Sequence, residues 1–167
     1  MNRRAFLVIA GVGLAAALGA ILIYRRPASQ RPFNIRLGQD RCKRCGMIIS
    51  RLEHAAGILL AGATDWDYYD DAGCFAKDYY KHMSGGATIQ DAKVVDFKKK
   101  SPIDAKKAQY IVADPKKLWT PMSYGVVAVE DVEDARALAE AHGGVLKTFE
   151  ELLEWAREKP WRAVGRK

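Results

Sequence analysis

The 167-residue sequence contains few of the residues that most often build metal and catalytic sites, with only three cysteines and three histidines. One Cys-x-x-Cys step, at Cys42 and Cys45, is present, but no second step or paired histidines accompany it, which argues against a structural zinc site. A phosphate-cradling glycine loop is absent, and so is anything resembling a nucleophile–base pair. We therefore do not expect an enzyme.

A continuous basic stripe is also missing, although the formal net charge is +7. The positive residues are scattered: some flank an N-terminal apolar run, Lys98 to Lys100 form one short run, and others lie in a basic tail at 161–167. Nucleic-acid surfaces usually combine a basic stripe with interleaved aromatic residues, which is not seen here. We attribute the charge to solvated surface and membrane-flanking arginines, and expect no nucleic-acid partner.

Sulfur donors are concentrated in one short segment that contains Cys42, Cys45 and Met47. Thiolate and thioether ligands favour monovalent copper over hard ions, and a thioether also disfavours zinc. The segment alone is equally compatible with a disulfide or redox pair, or with no special role. Cys42 is thus interpreted in one of three ways: as a redox partner of Cys45, as a second thiolate ligand, or as a reducible disulfide partner that blocks the site.

The N-terminal residues 1–26 predict a signal or membrane anchor. An uncharged apolar stretch from Ala5 to Tyr24 has the length of a membrane span, and Arg3-Arg4 before it resembles a twin-arginine export motif. Small residues at Ala15 to Ala17 offer a cleavage site, but the apolar run continues beyond them, so we favour an uncleaved anchor. Residues 27–40 are expected to form a tether.

A folded domain is predicted over residues 41–160, and its pattern is strand-rich and then helical, twice over. In each half an aspartate opens the helix, a histidine lies near its end and a glycine pair follows. This repeat predicts an α+β fold of two similar strand-strand-helix-strand halves, about 41–100 and 101–160, with a final amphipathic helix from Phe149 to Glu158. The predicted first half has strands 54–60, 65–69 and 93–98 around a helix at 71–82; the second has strands 108–113, 124–129 and 145–149 around a helix at 131–142.

Four segments together resemble the NosL family of exported accessory proteins of nitrous oxide reductase maturation. They are the Cys-x-x-Cys-Gly-Met step ending at Met47, Asp70-Asp71-Ala72-Gly73-Cys74, the segment 120–125 around Met122, and His142-Gly143-Gly144. The resemblance covers roughly residues 41–158 and implies two similar halves distantly like the organomercurial lyase fold.

The resemblance also implies a function: a membrane-tethered extracytoplasmic chaperone that carries Cu(I) and delivers it to a maturation or transporter complex in the membrane, with nitrous oxide reductase as the client. The implied copper ligands are Cys45, Met47 and Met122, with Cys42 secondary. Most family members are lipoproteins, whereas no cysteine precedes Cys42 here, so the apolar segment would serve as the anchor. The alternative function is a membrane-anchored thiol-disulfide oxidoreductase that uses Cys42 and Cys45.

Other polar and sulfur-bearing residues are expected to be structural. Cys74, early in the first helix, is interpreted mainly as a small core residue, with contact to copper or a mixed disulfide as the alternative. Asp70-Asp71 is interpreted as a helix cap. His54, placed in a strand, and the two histidines near helix C-termini are interpreted as structural rather than as ligands.

Overall fold

The protein is described by a computed structural model over residues 32–159. This part of the chain contains seven strands and three α-helices, which confirms the predicted α+β class. In chain order the elements are β1 (Ala56–Leu60), β2 (Asp67–Tyr69), α1 (Ala72–Ser84), β3 (Ile89–Val95), β4 (Pro102–Asp104), β5 (Gln109–Val112), β6 (Val126–Val129), α2 (Val132–His142), β7 (Val145–Lys147) and α3 (Phe149–Glu158).

The strands form two antiparallel sheets whose strands are connected in the same order. The first has the order β2-β1-β3-β4 and the second β6-β5-β7. In each sheet the first strand of the unit lies in the centre, flanked by the strand that follows it and by the strand that follows the helix. The two strand-strand-helix-strand units therefore share one topology, and β4 is an addition at the edge of the first sheet.

The main core lies where both sheets meet α1 and α3. It includes Ile58 and Val94 from the first sheet, Tyr110 and Val126 from the second, and Phe75 from α1. Alternating side chains of the second sheet face the other way, where they pack under α2 in a separate cluster. Both faces of the second sheet are therefore buried.

Local signals place the helix boundaries. Asp71 and Asp131 cap α1 and α2, each by accepting hydrogen bonds from the first-turn N–H groups. Thr148 caps α3 with a reciprocal capping box, as expected for a Thr followed by Glu151. The predicted α3 is confirmed with its bounds, and its inward residues Leu152, Leu153 and Trp155 are buried.

Several features differ from the sequence-based interpretation or extend it, including β3, which spans Ile89–Val95 and not the predicted 93–98. His54 lies in a 3-10 turn (Leu52–His54), so β1 begins two residues later than the predicted strand. The three-residue β4 was not predicted. Residues 32–40, placed in a tether from the sequence, contribute Phe33, whose ring centroid lies 5.1 Å from that of Trp66, to the packing on the first sheet.

The predicted anchor from Ala5 to Tyr24 and the basic tail at 161–167 lie outside the described residues. Within residues 32–159 no helix is both long and apolar enough to cross a membrane.

Candidate metal centre

Cys42 and Cys45 lie in a tight loop that precedes the first sheet. Its ends are joined by an antiparallel bridge between Arg41 and Ile48, and the Cys42 N–H donates to the Met47 carbonyl at 2.8 Å. Gly46 has a φ of +77°, a left-handed conformation that a glycine adopts without strain. The loop is thus folded back on itself, which holds both thiols on one short segment.

The loop is fastened to the end of β2. The Lys43 N–H donates to the Tyr68 carbonyl at 2.8 Å, and the Lys43 ammonium pairs with Asp67 at 3.0 Å. Arg44 forms an ion pair with Asp78 of α1. These contacts bring the two thiols next to the junction between β2 and α1.

That junction supplies two further candidate ligands, Asp70 and Cys74. Asp71 accepts from the Gly73 N–H at 2.7 Å and starts the helix, so Cys74 lies in its first turn. A Cβ atom on Gly73 would come within 2.5 Å of the Tyr124 ring. Glycine at this position therefore allows Tyr124 to pack closely against the turn that carries Cys74.

The potential ligand atoms of Cys42, Cys45, Asp70 and Cys74 all lie within 4.8 Å of one another. Cys45 Sγ donates towards Asp70 Oδ1 at 3.4 Å. Thiolate–metal bonds are about 2.3 Å long, so two sulfurs bound to one ion lie at most about 4.6 Å apart. The four side chains could close on a single ion with small adjustments.

All three cysteines are free, and they differ in exposure and in their affinity for protons. Cys42 and Cys74 are buried, whereas Cys45 is half-buried. Hydrogen bonding from Cys74 lowers the pKa of Cys42 and of Cys45 to about 7, against the opposing effect of burial. The same hydrogen bonds, with burial, raise the pKa of Cys74 far above its usual value. Near neutral pH the cluster therefore offers thiolate character at Cys42 and Cys45.

Asp70 is the one oxygen donor of the cluster. Burial is the main cause that raises its pKa to about 8, and hydrogen bonding with Cys42 adds to the effect. Its Oδ2 atom is buried, and within residues 32–159 it has no hydrogen-bond partner. A buried carboxylate oxygen without a partner is costly unless a proton or a cation compensates it.

Comparison with known proteins identifies the family. The NosL family model matches residues 34–156, most of the described chain. The chain belongs to the NosL family. The solved structures include a similar one, the crystal structure of the copper chaperone NosL from Shewanella denitrificans, with a TM-score of 0.56 and 18% identity over 72% of this chain and 96% of that chain. At this identity the likeness shows the fold alone. No curated protein matches the sequence.

The two methionines implied by the NosL resemblance lie in different environments. Met47 is 40% exposed, while Met122 is 2% exposed. Met122 belongs to the main hydrophobic core, which also contains Cys42 and Cys74 and against which Cys45 packs. Its N–H donates to Asp71 Oδ2 at 2.9 Å, which ties the 120–125 loop to the N-terminus of α1. Met122 is thus part of the protein interior, and Met47 is accessible from outside.

The histidines lie outside the group of possible metal ligands formed by Cys42, Cys45, Asp70 and Cys74. The His54 ring packs against those of Phe97 and Trp119, and burial lowers its pKa. His142 Nδ1 is 2.8 Å from the Lys117 carbonyl oxygen. These contacts support the interpretation of both residues as structural.

Sequence reasoning missed Asp70 and gave Cys74 little weight. Of the acidic pair Asp70-Asp71, only Asp71 caps the helix, while Asp70 faces the cysteines. Cys74 is fully buried, as expected for a core residue, but its sulfur also lies within the cluster. The available signal was an acidic residue at a strand end with a cysteine in the following helical turn, which is too common a pattern to stand alone.

Proposed function

We propose that this NosL protein is a copper chaperone that binds one Cu(I) ion as cargo and passes it on by ligand exchange. The observation that carries the proposal is the convergence of three free cysteine sulfurs within 4.8 Å. Two of these thiols have a pKa of about 7, so they can ionise and bind a metal at neutral pH. The family of the chain and the name of its solved relative support copper as the cargo.

The choice of copper over zinc depends on the sulfur ligands. Three thiols and one carboxylate would also suit Zn²⁺. Met122, buried in the same cluster as Cys42 and Cys74, and Met47, next to the Cys-x-x-Cys step, add thioethers that favour Cu(I). In this proposal Cys45 is the primary thiolate, and Met47 and Met122 supply weaker, exchangeable bonds.

Cellular placement and client are further parts of the proposal. The apolar segment from Ala5 to Tyr24 would anchor the protein, and the twin-arginine-like motif would direct the domain to the extracytoplasmic side. There it would deliver copper to a membrane complex that matures a copper enzyme, with nitrous oxide reductase as the client implied by the family resemblance. Expression of the intact gene product followed by membrane fractionation and protease accessibility tests this placement.

A thiol-disulfide oxidoreductase is the second candidate function, because the lowered pKa values of Cys42 and Cys45 would also suit disulfide exchange. Such enzymes commonly carry the cysteine pair at the start of a helix after a strand. Here the pair lies in a loop that precedes the first sheet, and the cysteine at a helix start is Cys74.

Cysteine variants of the full-length chain separate the two functions. Cys45→Ser is expected to abolish Cu(I) uptake under reducing conditions, while Cys42→Ser only weakens it. An oxidoreductase would instead lose turnover of a disulfide substrate equally in both variants and keep it in Met122→Ala. Disulfide turnover with no copper uptake by the unmodified chain would refute the chaperone function.

A further inference from the structure

The sulfur donors of the protein are arranged from the interior to the surface. Cys42 and Cys74 are 2% and 0% exposed, Cys45 is half-buried, and Met47 is 40% exposed. The exposure of Cys45 is therefore intermediate between that of the two buried thiols and that of Met47.

We infer that copper rests in an inner site made of the three thiols of Cys42, Cys45 and Cys74, and leaves through an outer position at Cys45 and Met47. The inference rests on the proposed copper function and goes beyond it by assigning Cys74 as a ligand and by giving the two methionines different roles. Met47 acts during transfer, whereas the buried Met122 adds a longer, weaker bond to the resting ion.

The geometry of the inner site supports this assignment. The three cysteines come from two separate segments that are held together by the hydrogen bond from the Lys43 N–H to the Tyr68 carbonyl and by the Arg44–Asp78 ion pair. Sulfur atoms within 4.8 Å approach the span of about 4.6 Å that one ion can bridge. Cys74 also lies in the first turn of α1, where the positive end of the helix dipole favours a negatively charged ligand.

The unpartnered Asp70 Oδ2 gives a second, independent indication. It is a buried polar atom at the edge of the thiol cluster, and no group within the described residues satisfies it. When Cys45 binds the ion it becomes a thiolate and can no longer donate, so the O–H of a protonated Asp70 would donate to the Cys45 sulfur and give this buried oxygen a partner. Asp70 is in this view a positioning residue for Cys45.

Transfer follows from the difference in exposure. A soft donor of an acceptor protein can reach Met47 and the half-buried Cys45, but not Cys42 or Cys74. Copper stays monovalent throughout, because bonds to the inner thiolates break as bonds to Met47 and the acceptor form, and the released thiolates take up protons. No electron is moved.

The test uses the full-length chain loaded with Cu(I), with affinity measured by competition against the indicator bicinchoninate. Cys74→Ala is expected to lower the affinity by more than the roughly 10- to 100-fold that loss of an outer-shell partner costs. Ala76→Ser, a buried change in the same helix outside the cluster, is the matched control and should leave affinity unchanged. Thermal melting of each apo variant verifies folding.

Met47→Leu is expected to leave the affinity close to that of the unmodified chain but to slow copper transfer to bathocuproine disulfonate severalfold. Met83→Leu, at an exposed methionine of α1, is the control for this variant. X-ray absorption at the copper edge of the unmodified chain should show three sulfurs at about 2.3 Å, a readout that does not depend on whether Cys74→Ala folds.

Unchanged affinity in folded Cys74→Ala, or one short copper–sulfur bond in the absorption spectrum, would overturn the inner site while leaving the copper function intact. Equal affinity losses in Met47→Leu and Cys74→Ala would overturn the separate outer position. Failure of the unmodified chain to bind Cu(I) would instead refute the chaperone function itself.

Discussion

The carboxylate of Asp71 accepts the peptide N–H of Met122 at 2.9 Å, across 51 residues of sequence. The other oxygen of the same carboxylate caps α1 through the Gly73 N–H at 2.7 Å. One fully buried side chain thus joins the helix of the first repeated unit to the loop that leads into β6 of the second. The positions of Cys74 and Met122 both depend on it.

Replacing Asp71 with alanine is therefore expected to destabilise the fold strongly. The change removes a helix cap and leaves the buried Met122 N–H without a partner, which together cost about 2–4 kcal/mol. Asp131→Ala removes the corresponding but exposed cap of α2 and should cost only about 1 kcal/mol. Urea unfolding of both variants measures the difference. Equal losses would show that the Asp71–Met122 bond contributes little.

Met122→Leu tests the buried thioether as a ligand. The swap nearly conserves volume and costs less than about 1.5 kcal/mol in unfolding free energy, but it removes the sulfur donor. Copper affinity should drop by about an order of magnitude or more while the melting temperature of the apo protein barely changes. The Cu(I) affinity is measured by competition against bicinchoninate, with Met83→Leu as the control variant. An affinity equal to that of the unmodified chain would remove Met122 from the ligand set.

The lowered thiol pKa values predict the pH dependence of Cys45 chemistry. Because the Cys45 thiol has a pKa of about 7 instead of 9.0, its thiolate fraction rises with pH around neutrality. The rate of alkylation by iodoacetamide in the metal-free protein should therefore reach half its maximum near pH 7, and Cys45→Ser should lose this fast phase. Cys74, whose pKa is raised and whose side chain is buried, should react last. A midpoint near pH 9 would contradict the hydrogen-bonded cluster.

Much of the fold could be predicted from the sequence because its signals are local. The caps Asp71 and Asp131, and the apolar spacing of α3, determine helix positions within a few residues of chain. The edge strand β4 could not be predicted, because it has three residues and begins with a proline. The hydrogen bond from the Lys43 N–H to the Tyr68 carbonyl could not be predicted either, because it joins residues that are far apart in sequence.

The candidate site was predictable only where its residues are neighbours in sequence. Cys42, Cys45 and Met47 could be recognised from their spacing, and Met122 only from the family resemblance. Asp70 and Cys74 join the cluster because the β2–α1 junction packs on the cysteine loop, which is a tertiary contact. A helix-start cysteine and an acidic residue before a cap have ordinary structural explanations when the sequence is considered alone.

The most direct test of the copper function is metal selectivity. The full-length chain, purified without oxygen and stripped of metal, would be offered equal amounts of Cu(I) and Zn²⁺ under reducing conditions, and the bound metal would be quantified. The proposed site combines three thiols with the thioethers of Met47 and Met122. This donor set predicts one equivalent of bound Cu(I) and little zinc. Stoichiometric zinc with no copper uptake would contradict the account.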